Sequence, residues 1–230
     1  MVGFRWSESD NNNGWSRDDQ PFVCWKREVA MAPTLRNSRF MLWIDAVGGY
    51  LVCLSDRVVI GQAAPGQPVD VAIQGDLSRR HAVVSRHGEG YVIEPVQPVR
   101  MGGRALSGPV YLNDGDEFQC GGSVRLRFRQ PHVLSGSARL EIISGHRTLP
   151  RVDGVLLMAE SCVLGPAPSN HVVCRNWRSD LVLFRRDEQV LCRSSQPFEV
   201  DGRPGSGAVA LGGNTRLVGE DFSLSVEHLA

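Results

Sequence analysis

Lysine is nearly absent from this 230-residue chain: among 25 basic residues only Lys26 is not an arginine, a bias that by itself assigns no function. Net charge is absent too, because 25 acidic residues balance the 25 basic ones. That excludes a globally basic nucleic-acid or membrane-surface binder, though not a local patch. No apolar run approaches the ~20 residues that a membrane-spanning helix needs. The opening MVGFRWSESDNNNGWSRDDQ has no apolar core of a secretory signal, so the expected compartment is cytoplasmic. No CxxC occurs, and no regular Cys/His spacing suits zinc. Walker A, Rossmann glycine and HExxH motifs are missing as well.

What the chain does have is apolar and turn-forming material. Hydrophobic residues make up 42% and charged residues 22%, enough to bury a core, and 25 Gly with 13 Pro supply many turns. Six cysteines, at 24, 53, 120, 162, 174 and 192, sit mostly inside short apolar runs. There a free thiol behaves as a small buried hydrophobe, so reduced structural thiols are expected rather than bridges.

Residues 1–37 read as a poorly ordered N-terminal tail, since SESDNNNGWSRDDQ has little to bury. From Arg39 the texture changes to short apolar runs at close spacing: RFMLWID, GYLVCL, RVVIG, VDVAI, HAVVSR, YVIEP, VYL, EFQC and VRLRF. VGG, LSD, PGQP, HGEG, MGG, NDGD and GG separate them. Several runs alternate, as in Val124-Arg125-Leu126-Arg127-Phe128, and none shows a capped 3.6-residue apolar period. The pattern predicts an all-β sandwich or barrel.

The second half repeats the first. Val99-Arg100-Met101-Gly102-Gly103-Arg104 aligns with Phe198-Glu199-Val200-Asp201-Gly202-Arg203, and His81-Ala82-Val83-Val84-Ser85-Arg86 with Asp180-Leu181-Val182-Leu183-Phe184-Arg185. Val59-Ile60-Gly61 corresponds to Val163-Leu164-Gly165, and Phe118, Val124 and Leu126 to Arg216, Phe222 and Leu224. So nearly constant an offset implies a duplication of one unit. The expected units are 38–129 and 139–230, joined by a Pro/Gly/Ser linker over 130–138. The first copy carries a small surplus of arginine over acidic residues, and the second the reverse.

One string in the first copy is diagnostic. After the strand ending at Gly61 come Ser78-Arg79-Arg80-His81-Ala82, Tyr91-Val92-Ile93-Glu94, Met101-Gly102-Gly103-Arg104-Ala105-Leu106 and Leu112-Asn113-Asp114-Gly115-Asp116. This resembles the forkhead-associated (FHA) domain, a β-sandwich of about a hundred residues that reads phosphothreonine peptides. The expected architecture is therefore two tandem FHA-like β-sandwiches, the second degenerate. A phosphothreonine carries about −1.5 to −2 charge and three strong acceptors, so its reader needs guanidinium, hydroxyl and backbone N–H groups on converging loops. The resemblance implies that Ser78 and Arg79 hydrogen-bond the phosphate, and that His81 orders the loop without touching the ligand.

Two departures weaken that inheritance. Gln62 stands where the family has its phosphate-clamping Arg, and Gln97-Pro98-Val99 replaces the Asn-Gly-Thr loop. A lost charge-assisted bond costs roughly 1.5–3 kcal/mol, ten- to a hundredfold in affinity. Arg80, Arg100 and Arg104 are the residues that would restore the charge by pointing into the loop face. In the second copy Pro166 follows Gly165 and Trp177-Arg178-Ser179-Asp180 replaces Ser-Arg-x-His, with a carboxylate that repels phosphate. No phosphopeptide site is expected there.

Other constellations read as structure. Ser78, His81 and Asp76 lack a nucleophile elbow; Cys162, His171, Cys174 and Cys192 lack metal spacing; Asp114 and Asp116 flank Gly115 as turn chemistry. Arg175-Asn176-Trp177-Arg178 reads as a cation–π contact or a buried loop Trp rather than a nucleic-acid loop. The expectation is a non-enzymatic protein-interaction adaptor with no cofactor, no metal, and no nucleic-acid or membrane partner. Its candidate phosphopeptide-binding residues are Gln62, Ser78, Arg79, Arg80 and Arg100. The partner is a protein or a phosphothreonine peptide in a Ser/Thr kinase pathway. The alternative is a phosphate-independent scaffold whose FHA-like folds have lost that site.

Overall fold

The computed structural model describes residues 39–66, 69–132 and 135–229, so the tail expected over 1–37 and Cys24 lie outside the described residues. Every regular element among those residues is a strand. The first copy contributes β1 (Arg39–Ile44), β2 (Gly48–Cys53), β3 (Arg57–Gln62), β4 (Val71–Gln74), β5 (Ala82–His87), β6 (Gly90–Pro95), β7 (Val99–Met101), β8 (Arg104–Ala105), β9 (Val110–Leu112), β10 (Glu117–Cys120) and β11 (Val124–Arg129). The second contributes β12 (Ala138–Ile142), β13 (Arg147–Thr148), β14 (Gly154–Leu157), β15 (Ser161–Gly165), β16 (Val172–Val173), β17 (Leu181–Arg186), β18 (Gln189–Ser194), β19 (Phe198–Val200), β20 (Arg203–Gly205), β21 (Val209–Ala210), β22 (Arg216–Gly219) and β23 (Ser223–His228).

These strands form three sheets. A shared 12-stranded sheet runs β20-β19-β22-β23-β1-β2-β14-β12-β11-β10-β7-β8. One half is covered by β13-β4-β3-β5-β6-β9 and the other by β16-β15-β17-β18-β21, enclosing two hydrophobic cores. We call the sandwich built around β3–β11 the first lobe and that around β15–β23 the second. The all-β, FHA-like sandwich architecture expected from the sequence is present, with its strands sharing one continuous 12-stranded sheet.

The lobes do not follow chain order. In the first, β11 pairs with β12 and β12 with β14, both strands of the second copy. In the second, β23 pairs with β1 and β1 with β2, both from the first copy. The leading strand pair of each copy is exchanged, and β2 and β14 meet as a parallel pair at the centre, Leu51 opposite Val155 and Cys53 opposite Leu157. Because the two covering sheets lie on opposite faces, central strands are buried on both. Leu51 and Cys53 enter the first core while Tyr50 and Val52 enter the second; Val155 and Leu157 likewise oppose Leu156 and Met158. That is why RFMLWI, GGYLVC and GVLL read as unbroken apolar runs. At the periphery β11 alternates, VRLRFR, with Val124, Leu126 and Phe128 inward. Each folded lobe therefore draws strands from both of the ranges 38–129 and 139–230.

Pairing also corrects one alignment. Phe118 opposes Leu126, and Leu217 opposes Leu224, so Leu217 and not Arg216 takes the place of Phe118. Between the copies, 130–132 and 135–137 are tied strap segments. Tyr91 Oη donates to the Gly136 carbonyl at 2.8 Å, Ser137 Oγ donates to the Ser161 carbonyl at 2.6 Å, and Gln130 Nε2 donates to the Glu89 carbonyl at 2.7 Å. Among the described residues no helix is long and apolar enough to cross a membrane.

Candidate functional site

The sequence-predicted loops of the first lobe converge on one buried imidazole. His81 is only 3% exposed. The Ser78 N–H lies 3.2 Å from its Nδ1, and the Pro98 carbonyl oxygen lies 3.0 Å from its Nε2. The Gly121 N–H lies 2.9 Å from the same Nε2. The His81 backbone is tied as well: its N–H donates to the Ile60 carbonyl at 2.8 Å, and its carbonyl accepts from Val96 and Gln97 at 3.0 and 2.9 Å. One residue thereby holds the ends of β3, β5 and β7 and the β10–β11 hairpin.

Close packing explains two glycines here. A Cβ on Gly61 would stand 1.9 Å from the Arg79 carbonyl oxygen, so only glycine lets the Ser78–Arg80 loop cross the end of β3. Gly121, at φ +62°, would bring a Cβ within 2.2 Å of the Asp76 carbonyl oxygen. The Gln62 N–H closes the crossing by donating to the Ser78 carbonyl at 3.0 Å.

On this frame Gln62, Ser78, Arg79 and Arg80 are exposed, as are Gln97 and Pro98. Backbone contacts bring Gln62, Ser78 and Arg79 together, with Arg80 next to the imidazole residue. Arg100 has a different setting: it stands on the outward side of β7, opposite Gln119 and Ala105, while neighbouring Val99 fills the core. Arg79, Arg80 and Arg100 make no ion pair or hydrogen bond with the described residues, so their guanidinium donors face solvent. The imidazole spends its nitrogens on backbone groups, which leaves no base for the Ser78 hydroxyl. Sequence reasoning missed Gly121 and the Pro98 carbonyl; the GG after Cys120 was legible only as a turn.

The second lobe fills the same place with its own side chains. Asp180 occupies the position of His81, and its Oδ1 accepts from Asn170 Nδ2 at 2.8 Å. A Cβ on Gly165 would stand 1.9 Å from that oxygen. Trp177 is buried against Phe222, ring centroids 5.2 Å apart. Arg178 pairs with Glu220 at 2.6 Å, and its N–H donates to Asp221. A cleft of about 690 Å³ beside this loop is lined by Trp177, Arg175, Glu220 and Asp221.

The remaining titratable clusters are structural in their contacts. His171 accepts from the Val163 N–H at Nδ1 and lies 3.0 Å from Ser135 Oγ at Nε2. Burial and neighbouring His132 lower its pKa to about 4. Cys53, Cys120, Cys162, Cys174 and Cys192 are free and buried, and burial raises each thiol to about 12. Among the described residues no three His, Cys, Asp or Glu side chains are grouped to hold a metal ion.

No family model matches the chain, and no curated protein matches it. Similar solved structures include the following two. One is Mycobacterium tuberculosis EmbR in complex with a low affinity phosphopeptide, 27% identical over 36% of this chain and 22% of that chain, with a TM-score of 0.27. This chain therefore spans about a fifth of the EmbR chain. The other is the N-terminal FHA domain from EssC, a component of the bacterial Type VII secretion apparatus, 14% identical over 82% of this chain and 92% of that one, with a TM-score of 0.24. Overlays this loose bear on neither the site nor its ligand. The all-strand architecture itself fits an FHA-like β-sandwich fold.

Proposed function

We propose that the chain is a non-enzymatic protein-interaction adaptor whose first lobe reads a phosphothreonine peptide at the Gln62, Ser78, Arg79 and Arg80 loops. The observation carrying this reading is the convergence of those loops on His81. Its two ring nitrogens go to backbone partners while Ser78, Arg79 and Arg80 stay exposed and unpaired. A loop whose shape is set by a buried imidazole keeps its donors pre-arranged, which lowers the ordering cost of binding a dianion. The partner is a phosphorylated protein, and a Ser/Thr kinase supplies the mark. Arg100 joins the site only with a peptide long enough to reach the outward side of β7.

The second reading, a phosphate-independent scaffold, is favoured by the uncharged Gln62 at the clamping position and by Pro98, which has no N–H to offer a peptide. Isothermal titration separates the two, using a phosphothreonine peptide library and the unphosphorylated twins. Preference for the phosphorylated form, lost about tenfold in Arg79→Ala and Ser78→Ala, supports the reader. Equal binding of the twins leaves the scaffold. Binding that emerges only in Gln62→Arg identifies a site lacking its clamp.

A further inference from the structure

A second cationic surface lies at the junction of the lobes, away from the His81 loops. It follows from a difference between the exchanged strand pairs. The β12–β14 connection is long and carries β13, which pairs with β4 and caps the edge of the first lobe's covering sheet, Thr148 opposite Ile73. The β1–β2 connection is the short turn Asp45–Val47, and among the described residues nothing equivalent reaches β16, which ends the second lobe's covering sheet. Beside that edge a groove of about 610 Å³ is lined by Tyr50, Arg129, Arg139, Pro166, Pro168, Val173 and Arg175.

Three guanidinium groups line this groove and no carboxylate does. Two are held rigidly. Arg129 Nε donates to Asp114 at 2.9 Å; Arg139 donates to the His171 carbonyl at 2.8 Å and pairs with Glu141. Arg139 Nε is buried without a partner. The third, Arg175, is exposed and makes no ion pair or hydrogen bond with the described residues, though it also lines the cleft that holds Glu220 and Asp221. Pre-positioned planar donors beside a free guanidinium suit a tetrahedral dianion, which accepts from several N–H groups at once.

We propose that this groove binds a phosphoryl-class dianion, with Arg139 and Arg175 as its donors and Arg129 behind them. The group is a free phosphate or one carried by an extended peptide lying along β16, where the end of the covering sheet offers strand pairing. The site uses residues of both copies, and it is independent of the His81 loops.

The test is titration of the full chain with inorganic phosphate, read on the arginine Nε–H signals in proton–nitrogen NMR spectra. Saturable shifts at Arg139 and Arg175 are expected, with affinity about tenfold weaker in Arg175→Ala and unchanged in Arg79→Ala. No saturable shift, or equal affinity in Arg175→Ala and wild type, overturns the proposal. A second arm uses the Arg79→Ala chain with a phosphothreonine peptide and its unphosphorylated twin. A phosphopeptide that binds more tightly than phosphate and perturbs the Val173 amide identifies a peptide-borne group. Equal affinities identify the free anion. Since Arg79→Ala removes the loop site and Arg175→Ala the groove, each reading fails on its own variant.

Discussion

The loop between β4 and β5 in the first lobe and its counterpart between β16 and β17 in the second begin from the same scaffold and end in opposite chemistry. A Cβ on Gly61 would meet the Arg79 carbonyl and one on Gly165 the Asp180 carboxylate, and each loop is pinned by a side chain at the position before the next strand. In the first lobe that pin is His81, bonded to backbone groups, and the cationic side chains remain free. In the second it is Asp180, bonded to Asn170, while Trp177 folds into the core and Arg178 is consumed by Glu220 and Asp221. The difference teaches that loops at matching places in the sheets can be closed differently, one by an imidazole set among backbone groups with its arginines unpaired, the other by a carboxylate–amide bond, a buried Trp and a paired Arg.

The most severe challenge to treating the two loops as separate sites is to separate the copies. Fragment 38–129 keeps β1 and β2 but loses β12 and β14, which complete its sandwich; fragment 139–230 suffers the converse. Should β1 close onto β11 within one fragment, one of its two apolar faces, Phe40, Leu42 and Ile44 or Met41, stays uncovered. Each fragment alone is therefore expected to aggregate or remain unfolded, and the two together to form a folded 1:1 complex. Size-exclusion chromatography with circular dichroism checks this. Two monomeric, folded fragments would show that exchange is dispensable.

Next in size is a contrast of equivalent loop residues. Trp177→Ala removes a buried indole packed on Phe222 and is expected to cost about 3–5 kcal/mol in denaturant unfolding. Arg79→Ala, on an exposed and unpaired side chain, should stay within about 0.5 kcal/mol. Comparable losses would mean that the first lobe's loop is as much a packing element as the second's.

Much of this was legible in the sequence, for physical reasons. Alternation in VRLRFR marks a strand with one wet face. Ser78-Arg79-Arg80-His81 pointed to the loop, and the structure accounts for its histidine by two ring nitrogens bonded to backbone. Strand exchange was not legible, because β1 and β12 offer similar edges and pairing either to β11 satisfies the same hydrogen bonds. The unbroken apolar runs RFMLWI and GVLL carried the hint, since a strand of a lone sandwich has no use for two apolar faces. Nor was β13 legible: two residues, Arg147-Thr148, carry no period, yet they decide which covering sheet is capped.

The smallest effect expected concerns acid and the strap between the copies. His171 ties the second lobe to Ser135 and is held neutral, its pKa lowered to about 4 from the ordinary 6.5 by burial and by His132. An unfolded chain takes up the proton near pH 6.5 while the folded one does not until about 4. Stability from this group is thus complete above about pH 6.5 and falls as pH drops towards 4, by an amount of order 2–3 kcal/mol. His171→Gln should flatten that slope in urea unfolding between pH 7 and 4.5. An unchanged slope in His171→Gln would put the acid sensitivity elsewhere and remove the strap as a point where the two lobes differ in their response to pH.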